Sequence, residues 1–135
     1  MSSLVCLDSD VVIYAATNTG QGKLIRDYLT SSEAWFVASA VLWPEVLIKP
    51  LRLAHDGDDL TNLRLVLQDV ATVAVDIDLA QRAATVGAKY GLRAPDACHL
   101  AAAIAADADF FLTNNRKDFP PSIDEIDIVY PDELA

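Results

Sequence analysis

Leu4-Val5-Cys6-Leu7-Asp8 is a continuous apolar run that ends on a carboxylate, and Ser9-Asp10-Val11-Val12 follows it directly. Four apolar residues closed by a polar turn read as a buried strand. Val11, Val12 and Tyr14 then suit a helix over residues 9–17, and Thr17-Asn18-Thr19-Gly20 a turn. The same alternation repeats along the chain. Leu24, Ile25, Tyr28 and Leu29 form one stripe of a helix over 22–31, and Trp35-Phe36-Val37-Ala38 is a second strand. Ser39 is placed to cap a helix over about 40–49, where Pro44 removes one backbone hydrogen bond and is expected to bend or loosen the first turns.

Leu60, Leu63, Leu67 and Val70 mark a helix over 58–70, and residues 72–75 a strand. Asp78 then caps a helix carrying Leu79, Ala83, Val86 and Tyr90, which Gly91 ends. Pro95 suits the first position of a helix running to about Ala106, and strands follow at 109–113 and 126–129. Strands alternating with helices of this length predict an α/β fold, a three-layer α/β/α sandwich with a mainly parallel central sheet. No repeat, low-complexity segment or linker interrupts the pattern, so residues 1–135 are expected to form one domain.

Hydrophobic residues make up 53% of the 135 and charged residues 22%, the balance of a soluble globular chain. No apolar stretch approaches the roughly 20 residues a membrane span needs. Met1-Ser2-Ser3 has neither a basic leader nor a long apolar core, so no signal peptide and a cytoplasmic location are expected. The two cysteines, Cys6 in a strand and Cys98 in a helix, match no zinc spacing and read as free thiols. Cys98 and His99 are adjacent on a helix and point to different faces, which excludes them as a nucleophile and base. The net charge of -10 does not suit broad capture of nucleic acid by its phosphates. It suits acids gathered where a metal reverses the local sign, or a basic protein partner.

Four acids stand out. Asp8 closes the first strand, Glu45 rides the apolar segment Val41–Ile48, Asp96 follows Pro95 at a helix start, and Asp118 comes just after Phe110-Phe111-Leu112-Thr113. Singly, Asp96 reads as a cap, Asp8 as a turn residue and Asp118 as a loop residue, whereas Glu45 sits against buried surface. Together they fall where an open parallel sheet builds its sites, beyond the carboxyl ends of the strands. Carboxylates crowded there repel unless a cation shares them. An oxygen-only donor set suits Mg²⁺ or Mn²⁺ rather than zinc, and such an ion suggests phosphodiester chemistry.

Leu7-Asp8-Ser9-Asp10, Pro44-Glu45-Val46, Ala94-Pro95-Asp96-Ala97 and Thr113-Asn114-Asn115-Arg116-Lys117-Asp118-Phe119 resemble the successive motifs of PIN-domain ribonucleases, most of all the VapC-like toxins of toxin–antitoxin pairs. The resemblance runs from Leu4 to about Val129, carried by order and spacing more than by any one short motif. It implies a helix-sandwiched parallel sheet whose acids bind Mg²⁺ or Mn²⁺ and hydrolyse RNA to a 5′-phosphate and a 3′-hydroxyl. Asp8, Glu45 and Asp96 correspond to the family's metal-holding acids, Asp118 to its variable fourth, and Thr113 and Asn115 to supporting polar positions. Many members carry an acid where this chain has Asn115; a subset has Asn there and an acid three residues on. That leaves open whether Asp118 ligates directly or through a bound water.

Lys49, Arg52, Arg116 and Lys117 are candidates for the substrate phosphates, while Lys23 and Arg26 read as a solvated helix face. The resemblance also implies a small antitoxin whose Arg or Lys enters the acidic cleft, and a homodimer. Two other readings compete. The opening through Asp8 and Asp10 also looks like that of a haloacid-dehalogenase-type phosphatase, with Asp8 as nucleophile and Asp10 as acid/base, but no suitable Lys and acidic pair follow Thr113. A PIN-like module that binds protein or RNA without cutting is the second.

Overall fold

Leu4–Leu7 forms β1, the middle strand of a five-stranded sheet in a computed structural model that describes residues 2–54 and 57–134. The chain continues through α1 (Ser9–Ala15), α2 (Gly20–Ser31), β2 (Trp35–Ser39), α3 (Leu42–Ala54), α4 (Asp58–Leu67) and β3 (Val70–Val73). It then adds α5 (Ile77–Tyr90), α6 (Ala94–Ala105), β4 (Phe110–Leu112), β5 (Asp127–Val129) and a 3₁₀ turn over Pro131–Glu133. The strand order is β3-β2-β1-β4-β5 and every pairing is parallel. This is the expected α/β fold with a parallel central sheet.

β1 is buried on both faces, as a central parallel strand must be. Its side chains alternate: Val5 and Leu7 pack with Val11, Val12, Ile25, Leu42, Val46 and Leu63, whereas Cys6 packs with Leu100, Ala103, Phe111 and Phe119. Helices α1 to α4 therefore cover one face and α6 the other, with α5 packed outside α6 through Leu79, Ala83, Ala97 and Ala101. The chain leaves β1 for β2 and β3, then returns to the other side of β1 for β4 and β5. That reversal opens a crevice beyond the carboxyl end of β1, the place where ligands bind in such sheets.

Several local expectations shift. Thr19 caps α2 by accepting from the Gly22 N–H at 3.0 Å, so the helix starts at Gly20. Gly22 is required there: a Cβ would lie 2.5 Å from the Tyr14 carbonyl and 2.6 Å from that of Thr17. Ser39 ends β2 and accepts from the Val41 N–H, and α3 begins only at Leu42. Pro44 thus falls in the first turn, where its missing N–H has no helical partner to lose. Pro50 lies inside the helix, which runs on to Ala54 rather than stopping near residue 49.

α4 ends at Leu67, so β3 comes two residues earlier than expected. Asp76, not Asp78, caps α5 through the Leu79 N–H at 2.8 Å, and Asp78 pairs with Arg82 on the exposed first turn. Gly91 closes α5 in the left-handed region at φ 67°. Lys23 is exposed and pairs with Asp27, but Arg26 is not a solvated residue: its guanidinium donates to the carbonyls of Ala15 and Thr17 and satisfies the end of α1. Cys6 is buried with its thiol pushed far above the usual range by burial, and Cys98 is half-buried; both are free.

Candidate active site

Asp8 sits one residue beyond β1, its N–H donating to the Leu112 carbonyl at 2.9 Å. The side chain is buried and each oxygen has a donor: the Ser9 N–H reaches Oδ1 at 2.8 Å and the Thr113 hydroxyl reaches Oδ2 at 2.7 Å. Thr113 is itself fully buried, and its oxygen accepts from the Asn115 N–H at 3.0 Å. Asn115 and Asp118 then close a reciprocal pair, side-chain amide to Asp118 Oδ2 at 2.9 Å and Asp118 N–H to Asn115 Oδ1 at 3.1 Å. The loop after β4 therefore positions both Asp8 and Asp118.

The other two acids come from opposite layers. Asp96 lies in the first turn of α6, and its buried Oδ2 has no hydrogen-bond partner. Glu45 lies in the first turn of α3. Their charges act on one another. Burial, then the charges of Asp8 and Asp118, hold the Asp96 carboxyl above its ordinary value. Burial also raises Asp8, with Glu45 adding to it, against the opposing effects of His99 and the hydrogen bonds from Thr113 and Ser9.

Two further groups lie at this site: His99, which the sequence analysis left out, and Asp10, which it used only in the phosphatase reading. His99, fully buried, donates from Nε2 to Glu45 Oε1 and lies 4.0 Å from Asp8 Oδ1. That contact is the main reason Glu45 titrates below the usual carboxylate range. Burial opposes a proton on His99, but Glu45 and Asp8 together raise the imidazole overall. Asp10, whose Oδ1 accepts from the Asn114 N–H at 3.2 Å, is pushed up to about 7 by burial first and the charge of Asp8 second. The spacing Asp96 to His99, one turn of a single helix face, was the available signal for the histidine.

Among the described residues, no three His, Cys, Asp or Glu side chains are assembled as a finished metal cage. The donor set nevertheless fits a hard divalent cation: mutually repelling carboxylates, oxygen atoms only, and an orphaned buried oxygen on Asp96.

The expected phosphate contacts fare differently. Glu45, Lys49 and Arg52 share one face of α3 by spacing, and both cations are exposed. Arg116 is turned to Asp132 and stacks 4.0 Å from the Tyr130 ring, and Lys117 is exposed. Among the described residues, the Lys or Arg paired with one of the four site acids is Arg93, the residue before α6, with Nε 4.0 Å from Asp96 Oδ2.

The fold and this crevice define a PIN-type α/β protein. The PIN domain family model matches residues 5–120, and the chain belongs to that family. No curated protein matches it. Among solved structures it is similar to a toxin-antitoxin complex from Klebsiella pneumoniae, at 23% identity and TM-score 0.75 over 94% of this chain and 97% of that one. DNA-bound VapBC from Salmonella typhimurium aligns at 16% identity and TM-score 0.74, over 97% and 99%. VapC20 of Mycobacterium tuberculosis, a sarcin-ricin loop cleaving toxin, aligns at 11% identity and TM-score 0.70, over 91% and 98%. Membership of the PIN family displaces the phosphatase reading of Asp8 and Asp10.

Proposed function

We propose that this protein is a divalent-metal-dependent endoribonuclease and the toxin of a VapBC-type toxin–antitoxin pair. One observation carries the reading. Asp8 is buried at the carboxyl end of the central strand, clamped by Thr113, with Glu45, Asp96 and Asp118 brought to it from three other elements. Asp8, Glu45 and Asp96 would hold Mg²⁺ or Mn²⁺, and Asp118 would complete the site from the β4 loop. A bound ion supplies Lewis-acid polarisation of a phosphoryl oxygen and activation of water.

The residues themselves do the rest. Thr113 and the Ser9 N–H fix the Asp8 carboxylate in one orientation and favour its charged form against burial. Asn115 locks the Asp118 carboxylate and its own backbone to Thr113. Arg93 at the rim, with Lys49 and Arg52 on the Glu45 face, would receive the RNA backbone on an otherwise acidic chain.

The similarity to toxin–antitoxin complexes supports a small antitoxin partner, whose Arg or Lys would enter the acidic crevice in place of the ion. A homodimer and a cytoplasmic location accompany this reading; no helix among the described residues is long and apolar enough to cross a membrane. Failure to co-purify with the product of a neighbouring reading frame would count against the antitoxin.

The nuclease is tested by incubating the purified protein and Asp8→Asn with structured RNAs in Mn²⁺ or Mg²⁺. Cleavage by the wild type, lost at least about 100-fold in the variant (roughly 2.7 kcal/mol of barrier) and absent in EDTA, is the expected result. Equal cleavage by both proteins refutes the site. RNA that is bound but never cut makes the protein a binding module instead.

A further inference from the structure

The imidazole of His99 is buried completely, yet its Nδ1 has no hydrogen-bond partner. An unsatisfied nitrogen in the core is costly, and a leucine there would fill the space without it. The ring has one strong polar contact, from Nε2 to Glu45 Oε1. A carboxylate can only accept, so Nε2 carries the proton. The same nitrogen lies 4.0 Å from Asp8 Oδ1, which places one N–H between two acids that repel each other.

Glu45 needs such a tether. Asp8 is locked by two donors, and Asp96 is embedded at the start of α6. Glu45 reaches in from the other helical layer and leaves 31% of its side chain exposed. Ser9 and the charge of Arg93 act on the same carboxylate more weakly, so without the His99 contact repulsion from Asp8 and the pull of solvent both favour rotamers that point outward. Hydrogen bonds of this kind are how proteins orient a ligating side chain.

We propose that His99 is a positioning residue: its Nε2–H clamps Glu45 Oε1, holds this partly exposed carboxylate beside Asp8, and leaves Oε2 to complete the cation site. The inference rests on the metal assignment made above for Asp8, Glu45 and Asp96. His99 ligates nothing in this scheme and acts only through Glu45.

The test measures Mn²⁺ binding to the RNA-free protein by calorimetry and by the loss of the free-ion electron paramagnetic resonance signal. The proteins are wild type, His99→Leu, His99→Gln, Glu45→Ala and the Glu45→Ala/His99→Leu double variant. His99→Leu is expected to bind Mn²⁺ about 10- to 100-fold more weakly. His99→Gln, which keeps an N–H donor, recovers part of that loss. In the Glu45→Ala background, His99→Leu has no further effect on affinity, because the side chain it acts through is gone.

Circular dichroism and melting confirm that each variant folds. Should His99→Leu fail to fold, the Gln variant alone and paired with Glu45→Ala carries the comparison. A His99→Leu protein that folds and binds Mn²⁺ as tightly as wild type overturns the proposal, as does a loss of equal size in both backgrounds. Wild-type protein that binds Mn²⁺ through Asp8 but cuts no RNA sinks the nuclease and leaves His99 standing. Wild-type protein that binds no Mn²⁺ sinks both.

Discussion

Replacing Asp10 with asparagine should stabilise the metal-free protein, and only above mildly acidic pH. The Asp10 carboxyl is pushed from its ordinary 3.8 to about 7 by burial and by Asp8. Folding therefore takes up a proton on this residue between those two values. By linkage, the wild type loses stability as pH rises from about 4 to about 7, and the penalty is constant above that. At about 1.36 kcal/mol per pKa unit the displacement is worth on the order of 4 kcal/mol at pH 8. Part of the displacement is repulsion shared with Asp8, which leaves roughly 3 kcal/mol to Asp10 itself.

Asparagine keeps an oxygen to accept from the Asn114 N–H and cannot ionise. At roughly 3–4 °C per kcal/mol for a chain of this size, Asp10→Asn should melt about 10 °C above wild type at pH 8. The gain should shrink to about 1–2 °C near pH 4. Thermal melting in EDTA from pH 4 to pH 9 measures both limits. A variant no more stable than wild type at pH 8, or one stabilised equally at every pH, refutes the charge argument and leaves Asp10 an ordinary hydrogen-bonded aspartate.

Thr113→Val removes the hydroxyl that donates to Asp8 Oδ2 at 2.7 Å, and leaves a buried carboxylate short of a donor. It should cost about 1.5–3 kcal/mol at pH 8 by urea unfolding, and less where Asp8 is protonated; no loss at pH 8 would mean water replaces the hydroxyl. Gly22→Ala drives a Cβ to 2.5 Å from a backbone carbonyl and should cost more than about 2 kcal/mol, visible as a lowered urea midpoint. Gly91→Ala meets no atom within 4 Å and suffers only the left-handed φ of 67°, so about 1 kcal/mol is expected. A reversed order of the two glycine variants would contradict the packing of α2 against α1.

What could be read from the sequence and what could not divides along a physical line. Asp8 follows β1 and Asp96 opens α6, and hydrophobic periodicity marks such boundaries, so their meeting beyond the carboxyl ends of the strands follows from topology, whereas Asp118 lies in the loop after β4 and was legible only through its motif. Helix starts were legible only to within two residues, because Asp76 and Asp78 are equally good caps on paper. Only the local backbone decides which oxygen meets the Leu79 N–H. The same holds for Pro44, harmless once α3 starts at Leu42.

The partners of the acids are a different matter. Glu45 and His99 are separated by 54 positions and arrive from opposite faces of the sheet, so no spacing rule links them. His99 turns away from Cys98, its neighbour in the chain, and toward Glu45. It is the first residue to share a helix face with Asp96, and that shared face is the only trace of its role in the sequence. Donor type is written into each acid, whereas the orientation of a half-exposed carboxylate is set by whatever buried group reaches it across the core. For Glu45 that group is the imidazole of His99, whose Nε2 meets Oε1 across the core.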